Sequence, residues 1–386
     1  MDRSRSGTVR LEITKLVAGG DGLAFVDGKA VFVPLALPGE EVDLRIVEER
    51  ADFCRADLVE VVRPHPFRIT PPCPIYSKCG GCNLQHLGYR GQIEEKRRIL
   101  AEAFRRIGKL EVEIPPAVES QPFGYRNRMQ LHLDAEGRLG FMRRSAATVV
   151  EAPGCPIAVP PIHRWIEERA GSSRAREERG PRGASGDRFI VFGFGERVWV
   201  EGKDGLVELS ISGEPLSFHI RSFFQSNLAM VERLLPEVLD GVSGTHAADL
   251  YCGVGLFSRF LALAFRHLTC VEQDPHALEL ARGNVPGRGH QFSALSIEDW
   301  IRSPAASTRF DCVLVDPPRS GLSSTVRGWL ARMKVPTVQY ISCDPVTFAR
   351  DVGELVRAGY RLERLRLYDF YPQTSHMESY ARLIWA

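Results

Sequence analysis

Short runs of alternating apolar and polar residues fill positions 7–62, broken by Gly19-Gly20-Asp21-Gly22, Asp27-Gly28 and Pro38-Gly39. Alternation is the period of a half-buried strand and glycine-rich breaks mark hairpin turns, so the pattern predicts a small antiparallel barrel. The stretch from Pro64 to Pro72 interrupts the pattern and marks a boundary. From Tyr89 to Leu110 the period becomes helical. Ile93, Ile99, Leu100, Phe104 and Ile107 recur among Lys96, Arg97, Arg98, Arg105 and Arg106, which read as a solvated basic face. Between Glu167 and Arg188 the chain turns to Arg, Glu, Gly and Ser, the composition of a mobile surface insert. From about Ser217 strands alternate with helical segments, which predicts a doubly wound α/β sheet. Strand ends are expected at Tyr251, Glu272, Asp316 and Ser342, and such sheets bind ligands beyond their carboxyl ends. Three units follow, 1–66, 67–216 and 217–386, with helix 89–110 available to pack on the last.

Composition narrows the class little. The charged and hydrophobic fractions, 25% and 44%, are those of an ordinary globular chain, and a net charge of +2 neither demands nor excludes nucleic acid. No apolar run reaches the ~18 residues of a membrane span. No signal-peptide core follows Met1-Asp2-Arg3-Ser4-Arg5, so a cytoplasmic protein without membrane contact is expected. Locally the charge is uneven. Residues 120–150 carry five arginines against two acids, interleaved with Phe123, Tyr125 and Phe141. Tyr125-Arg126-Asn127-Arg128 mixes the groups that contact phosphates and stack on bases, a candidate RNA contact.

The nine cysteines sort by spacing. Cys54, Cys252, Cys270 and Cys312 read as small core residues. Cys73, Cys79 and Cys82 lie within ten residues, and Cys155 in Gly154-Cys155-Pro156 supplies a fourth thiol. Four thiolates suit zinc or an iron–sulfur cluster. Zinc ribbons favour paired Cys-x2-Cys units, so three plus one tilts toward iron–sulfur. The last of the nine, Cys343, stands outside that group.

Chemistry collects at the expected strand ends. Asp249-Leu250-Tyr251-Cys252-Gly253-Val254-Gly255 has two glycines for a tight turn, followed by Glu272 at the next strand end to accept from ribose hydroxyls. The third glycine of a dinucleotide fingerprint is replaced by Ser258, and no Walker lysine is present. A ribose acid without phosphate-binding features suits S-adenosylmethionine, with Asp249 near its ammonium. Cys343 follows Val338–Ile341 and precedes Pro345 and a helix, whose N-terminus is expected to lower its pKa. Glu378 stands just before the terminal strand Ala381–Trp385. An activated thiol and a carboxylate are what a pyrimidine needs for addition at C6 and later loss of the C5 proton. Asp316-Pro317-Pro318-Arg319 gives the pocket a third, rigid element. The two prolines also invite comparison with amino-methyltransferases, but those place an aromatic where Arg319 stands and need no cysteine.

Two resemblances follow from these residues. The run Val31 to Val47 resembles the TRAM module, an oligonucleotide-binding-like barrel of RNA-modifying enzymes. Ser342-Cys343-Asp344-Pro345, His376-Met377-Glu378, Asp316-Pro317-Pro318-Arg319 and Asp249-Leu250-Tyr251-Cys252-Gly253 resemble the bacterial RNA uracil-5-methyltransferases, and the likeness runs over nearly the whole chain. It implies an α/β multidomain fold: a TRAM barrel, a central iron–sulfur domain and a Rossmann-like class I methyltransferase domain. It implies Cys343 as nucleophile, Glu378 as base, and cofactor contacts from Gln225, Tyr251, Glu272 and Asp316, alongside Asp249 and Gly253. Cys73, Cys79, Cys82 and Cys155 would hold a [4Fe–4S] cluster with a folding or RNA-binding role. The implied partner is RNA, bound by a monomer. A barrel characteristic of ribosomal-RNA members favours 23S ribosomal RNA over the transfer-RNA T-loop. A rival class, an iron–sulfur RNA-binding protein with an inactive methyltransferase domain, is disfavoured by the intact Cys343 and Glu378. The chain departs from the family at Leu256, where a polar residue is usual, and around Ser293 to Glu298, where no polar cofactor contact is evident.

Overall fold

The computed structural model describes residues 8–144, 146–171 and 188–386. The insert expected between Glu167 and Arg188 lies almost entirely outside the described residues. Among them, no helix is long and apolar enough to cross a membrane.

Alternation builds the N-terminal barrel. Strands Val9–Glu12, Lys15–Leu16, Gly22–Val26, Lys29–Val33, Glu41–Glu49 and Phe53–Arg63 form one six-stranded sheet. Their inward residues, among them Ala24, Val31, Val33, Val42 and Leu44, make its core. One pairing corrects the antiparallel expectation: Lys29–Val33 runs parallel to Phe53–Arg63. The long strand Glu41–Glu49 intervenes between them in sequence, and a connection of that length can return the chain in the same direction.

The central unit is a five-stranded sheet, Arg197–Val200, Arg188–Phe194, Arg128–Leu133, Leu139–Met142 and Val149–Glu151 in spatial order, backed by the helix Pro160–Glu167. The C-terminal sheet has seven strands, in the order Gln291–Ser293, Phe265–Val271, Gly244–Leu250, Cys312–Val315, Thr337–Ser342, Glu378–Trp385 and Tyr360–Tyr368. The first five are parallel; Glu378–Trp385 runs antiparallel to both neighbours. Cys312 and Leu314 enter one apolar layer, Val313 and Val315 the other, so the strand is buried on both faces. The hairpin of Leu206–Ile211 and Glu214–His219 belongs to this core, packing Val207 and Phe218 with Phe257 and Leu261. Position 217, where the sequence pattern changes, therefore lies inside a strand.

The long amphipathic helix departs from its uniform reading in two ways. It is α-helical over Tyr89–Ala103, then opens into a π turn at Phe104–Gly108. There it crosses the helix Pro345–Arg357, with Phe104 edge-on to Phe348 at 5.7 Å. The crossing is too close for side chains: a Cβ on Gly353 would lie 2.2 Å from the Gly108 carbonyl oxygen. The basic face is also not wholly solvated. Lys96 is fully buried and donates to Asp369 Oδ1 (2.5 Å) and the Tyr371 carbonyl (3.1 Å).

Candidate active site

The parallel strands Gly244–Leu250, Phe265–Val271, Cys312–Val315 and Thr337–Ser342 end together, which brings Tyr251, Glu272, Asp316 and Cys343 to one edge. Glu378 arrives by a different route. In the antiparallel pairing Ser342 faces Ser379, the residues just before Cys343 and just after Glu378, and Glu378 lies near enough for its charge to raise the Cys343 thiol. Residues thirty-five apart are thus brought to one end of the sheet by the one strand that runs against the others.

The electrostatics reverse the expectation for Cys343. Burial, then the charges of Glu378 and Asp316, push its thiol up to about 12, against a smaller lowering by Arg319. The helix N-terminus does not offset this, because Asp344 caps it: its Oδ1 accepts from Val346 N (3.0 Å) and Thr347 N (2.8 Å). Glu378, 3% exposed, is raised well above the carboxylate range by burial and by Asp316. Asp316 and Asp249 are each pushed up to about 7, chiefly by burial. Three carboxyls crowded out of water call for a cation among them.

The cofactor cradle is built from backbone as much as from side chains. Tyr251 holds a left-handed φ of 68°, a strained conformation for a non-glycine residue, while its N–H donates to Val271 O (3.0 Å). Gly253, at φ 53°, has open space where a Cβ would stand. Glu272 Oε2 accepts from Gly253 N at 3.1 Å, which ties the acid to the glycine turn. Ser258 Oγ donates to Asp249 Oδ2, while Asp249 Oδ1 and Gln225 Oε1 are buried without a partner. Orphaned buried acceptors of this kind fit the ammonium of an amino-acid-bearing cofactor. Leu256 has joined the core, the Ser293 carbonyl accepts from Glu272 N (3.2 Å), and Ser296 caps the helix Ile297–Ile301. Each is engaged in structure where the family places polar contacts.

Cys73, Cys79, Cys82 and Cys155 line one cavity of about 130 Å³ with Ile75, Met129 and Phe141. All four thiols are raised by burial, Cys82 to about 11 and Cys155 to about 12. Among the described residues no group of three or more His, Cys, Asp or Glu is arranged to hold a metal ion. All nine cysteines are free thiols. Arg126 also lines this cavity, but its neighbours are not the RNA contacts expected of them. Tyr125 is buried and its OH donates to Pro372 O (2.8 Å). Asn127 bonds Gly193 O (2.8 Å) and accepts from Leu228 N (3.1 Å).

Sequence reasoning passed over the loop that delivers Glu378. Tyr371 stands close enough to Glu378, Cys343 and Asp316 for their charges to raise its phenol, and its ring lies 6.1 Å from that of His376. At the mouth Arg319 meets His376 at 3.5 Å. The run Phe370-Tyr371-Pro372 beside the His-Met-Glu motif was the available signal.

Sheet order, acid-tipped strand ends and the cradle together define a Rossmann-like, S-adenosylmethionine-dependent methyltransferase. Comparison with known proteins narrows the class. Residues 4–59 match the TRAM domain, 222–331 the methyltransferase small domain, and 304–384 the tRNA (Uracil-5-)-methyltransferase family. An uncharacterized RNA methyltransferase of Treponema denticola is 32% identical, covering 95% of this chain and 96% of its own length. The 23S rRNA (uracil(1939)-C(5))-methyltransferase RlmD of Shewanella amazonensis is also 32% identical, over 97% and 95%. The crystal structure of Pyrococcus abyssi tRNA (uracil-54, C5)-methyltransferase, in complex with S-adenosyl-L-homocysteine, superposes with a TM-score of 0.74 at 28% identity, covering 97% of this chain and 99% of that one. The chain belongs to the RNA uracil-5-methyltransferase family.

Proposed function

We propose that this protein methylates C5 of a uridine in 23S ribosomal RNA, with Cys343 as nucleophile and Glu378 as base. The antiparallel pairing of Ser342 with Ser379, which brings Cys343 and Glu378 to the same end of the sheet, carries this reading. Addition of the Cys343 thiolate to C6 makes C5 electron-rich. S-adenosylmethionine supplies the electrophilic methyl group. Gln225, Asp249, Tyr251, Gly253, Glu272 and Asp316 would hold it, the buried acceptors of Gln225 and Asp249 taking its ammonium. Its positive charge would draw the crowded carboxylates and the thiol toward their ionised forms. Glu378 then removes the C5 proton. A carboxylate pushed upward by burial is a stronger base for carbon acids than a solvated one. Cys343 leaves with the electrons of the C–S bond and the ring is restored.

The barrel (1–66), the central unit (67–216) and the methyltransferase domain (217–386) would share the RNA. The barrel does not decide which RNA, because the Pyrococcus transfer-RNA enzyme aligns across 97% of the chain. The RlmD relatives favour the ribosomal target. The four thiols would hold a [4Fe–4S] cluster. All four thiols line one cavity, and their three-plus-one spacing departs from the paired Cys-x2-Cys units that zinc ribbons favour. Iron and acid-labile sulfide in equal amounts in anaerobically purified protein would support the cluster; bound zinc would overturn it.

Transcripts of 23S ribosomal RNA and transfer RNA carrying 5-fluorouridine test the chemistry. A denaturation-resistant protein–RNA adduct is expected with the ribosomal transcript and none with Cys343→Ala. An adduct that survives Cys343→Ala overturns the assignment, and trapping by transfer RNA alone changes the substrate. With unfluorinated RNA, Glu378→Gln is expected to accumulate the adduct; normal turnover removes Glu378 from the base role.

A further inference from the structure

Three distant parts of the chain meet at Asn83, the residue after Cys82. Asn83 Nδ2 donates to the Gly19 carbonyl of a barrel turn (2.7 Å) and to Ser375 Oγ (3.1 Å), and its Oδ1 accepts from Ser375 N (2.8 Å). The backbone N–H groups of Asn83 and Leu84 both donate to Gln373 O, at 3.1 and 3.0 Å. Gln92, from the long helix, closes the arrangement. Its Nε2 donates to Gln373 Oε1 (2.9 Å) and its Oε1 accepts from Gln373 N (2.8 Å). Gln373 itself holds a left-handed φ of 68°, which a non-glycine residue keeps only where its surroundings enforce it. The junction is tight on the barrel side as well. A Cβ on Gly20 would lie 2.5 Å from Asn83 Nδ2 and 2.9 Å from Ser375 Cβ.

We propose that Asn83 is a positioning residue for Glu378, through which the placement of the barrel against the cysteine-bearing segment sets the geometry of proton removal. The proposal rests on the reading of Glu378 as base. From Glu378 onward the backbone is held by antiparallel strand pairing, Glu378 with Tyr368, Ser379 with Leu367 and so on back to Tyr360. On the other side, its approach through Gln373–Ser375 is held by Asn83, Leu84 and Gln92. Nothing in this arrangement touches Cys343, so disturbing Asn83 acts on the second half of the reaction.

Single-turnover kinetics on a 23S ribosomal RNA transcript separate the halves. Asn83→Ala is expected to form the Cys343–RNA adduct at nearly the wild-type rate and to resolve it on the order of tenfold more slowly, the scale of loss from a slightly misplaced group. Gly20→Ala perturbs the junction from the barrel and is expected to do the same. Gly28→Ala supplies the control. Gly28, in the turn between Gly22–Val26 and Lys29–Val33, is left-handed at φ 78° and so strained by alanine much as Gly20 is, but nothing lies within 4 Å of its added Cβ and it touches no part of the junction, so resolution stays near wild type. Without RNA, hydrogen exchange at 373–376 rises in Asn83→Ala and Gly20→Ala only. Equal slowing of adduct formation and resolution, or a Gly28→Ala that behaves as Gly20→Ala, overturns the proposal. If Glu378→Gln accumulates adduct while Asn83→Ala resolves it normally, this inference alone fails. If Glu378→Gln accumulates none, the base assignment fails with it.

Discussion

At the scale of single residues, the pocket is defined by carboxyls that water no longer stabilises. Asp249 is 1% exposed, and burial lifts its carboxyl from 3.8 to about 7. Between those values the folded chain keeps a proton that the unfolded chain has released. Asp249 therefore erodes stability as pH rises from about 4 to about 7, and contributes no such loss below that range. Asp249→Asn retains an oxygen for the Ser258 hydroxyl and cannot ionise. In cofactor-free protein the variant is expected to melt higher than wild type at pH 7, with the gain vanishing toward pH 4, and to bind S-adenosylmethionine more weakly. Thermal unfolding across that range checks it, and a gain independent of pH would contradict a buried, protonated Asp249. Cys343 and Glu378 stood out as candidates in the sequence because each sits in a short motif. The sign of the Cys343 shift was not legible there. It comes first from burial and then from Glu378 and Asp316, delivered by other strands, while Asp344 caps the very helix end expected to help.

At the scale of elements, periodicity located the strands and helices of the catalytic sheet, since buried parallel strands read as continuous apolar runs. It could not say which cation of the long helix faces inward. Lys96 lies among arginines that look alike in sequence, and only Asp369, 273 residues away, singles it out. Nor could it foresee the π turn, which ends at Gly108 where that residue crosses Gly353. Removing one partner of a buried pair strands the other, so Lys96→Ala is expected to lose about 3–5 kcal/mol on denaturant unfolding. Lys96→Met combined with Asp369→Leu leaves no buried charge and is expected to recover most of that loss. Because Lys96 also donates to Tyr371 O, the double variant should fold well yet methylate poorly. Full activity in it would show that the pair serves stability alone.

At the scale of the whole molecule, where RNA lies depends on which cations are still available to phosphate. On the outer sheet of the barrel they are spoken for: Arg10 pairs with Asp43, Lys29 with Glu49, Arg45 with Asp57, Arg50 with Glu48 and Arg63 with Glu12. A cation already neutralised releases few counterions when RNA arrives, so that sheet contributes little to salt-sensitive binding. Lys78 and Arg143, exposed and next to or bridged to Cys79, have no acid partner among the described residues, and Arg319 meets His376 at the pocket mouth. The net charge of +2 conceals these groups near the cavity and the pocket. Each lost phosphate contact to single-stranded RNA lowers the slope of log K against log salt by about 0.7. Lys78→Gln with Arg143→Gln is therefore expected to reduce that slope by about 1.4. Arg45→Gln with Arg63→Gln should leave it unchanged, both being measured by filter binding of a 23S ribosomal RNA transcript. The opposite result would put the RNA on the barrel, whose turn at Gly19 bonds Asn83, rather than on the segment that carries the cysteines.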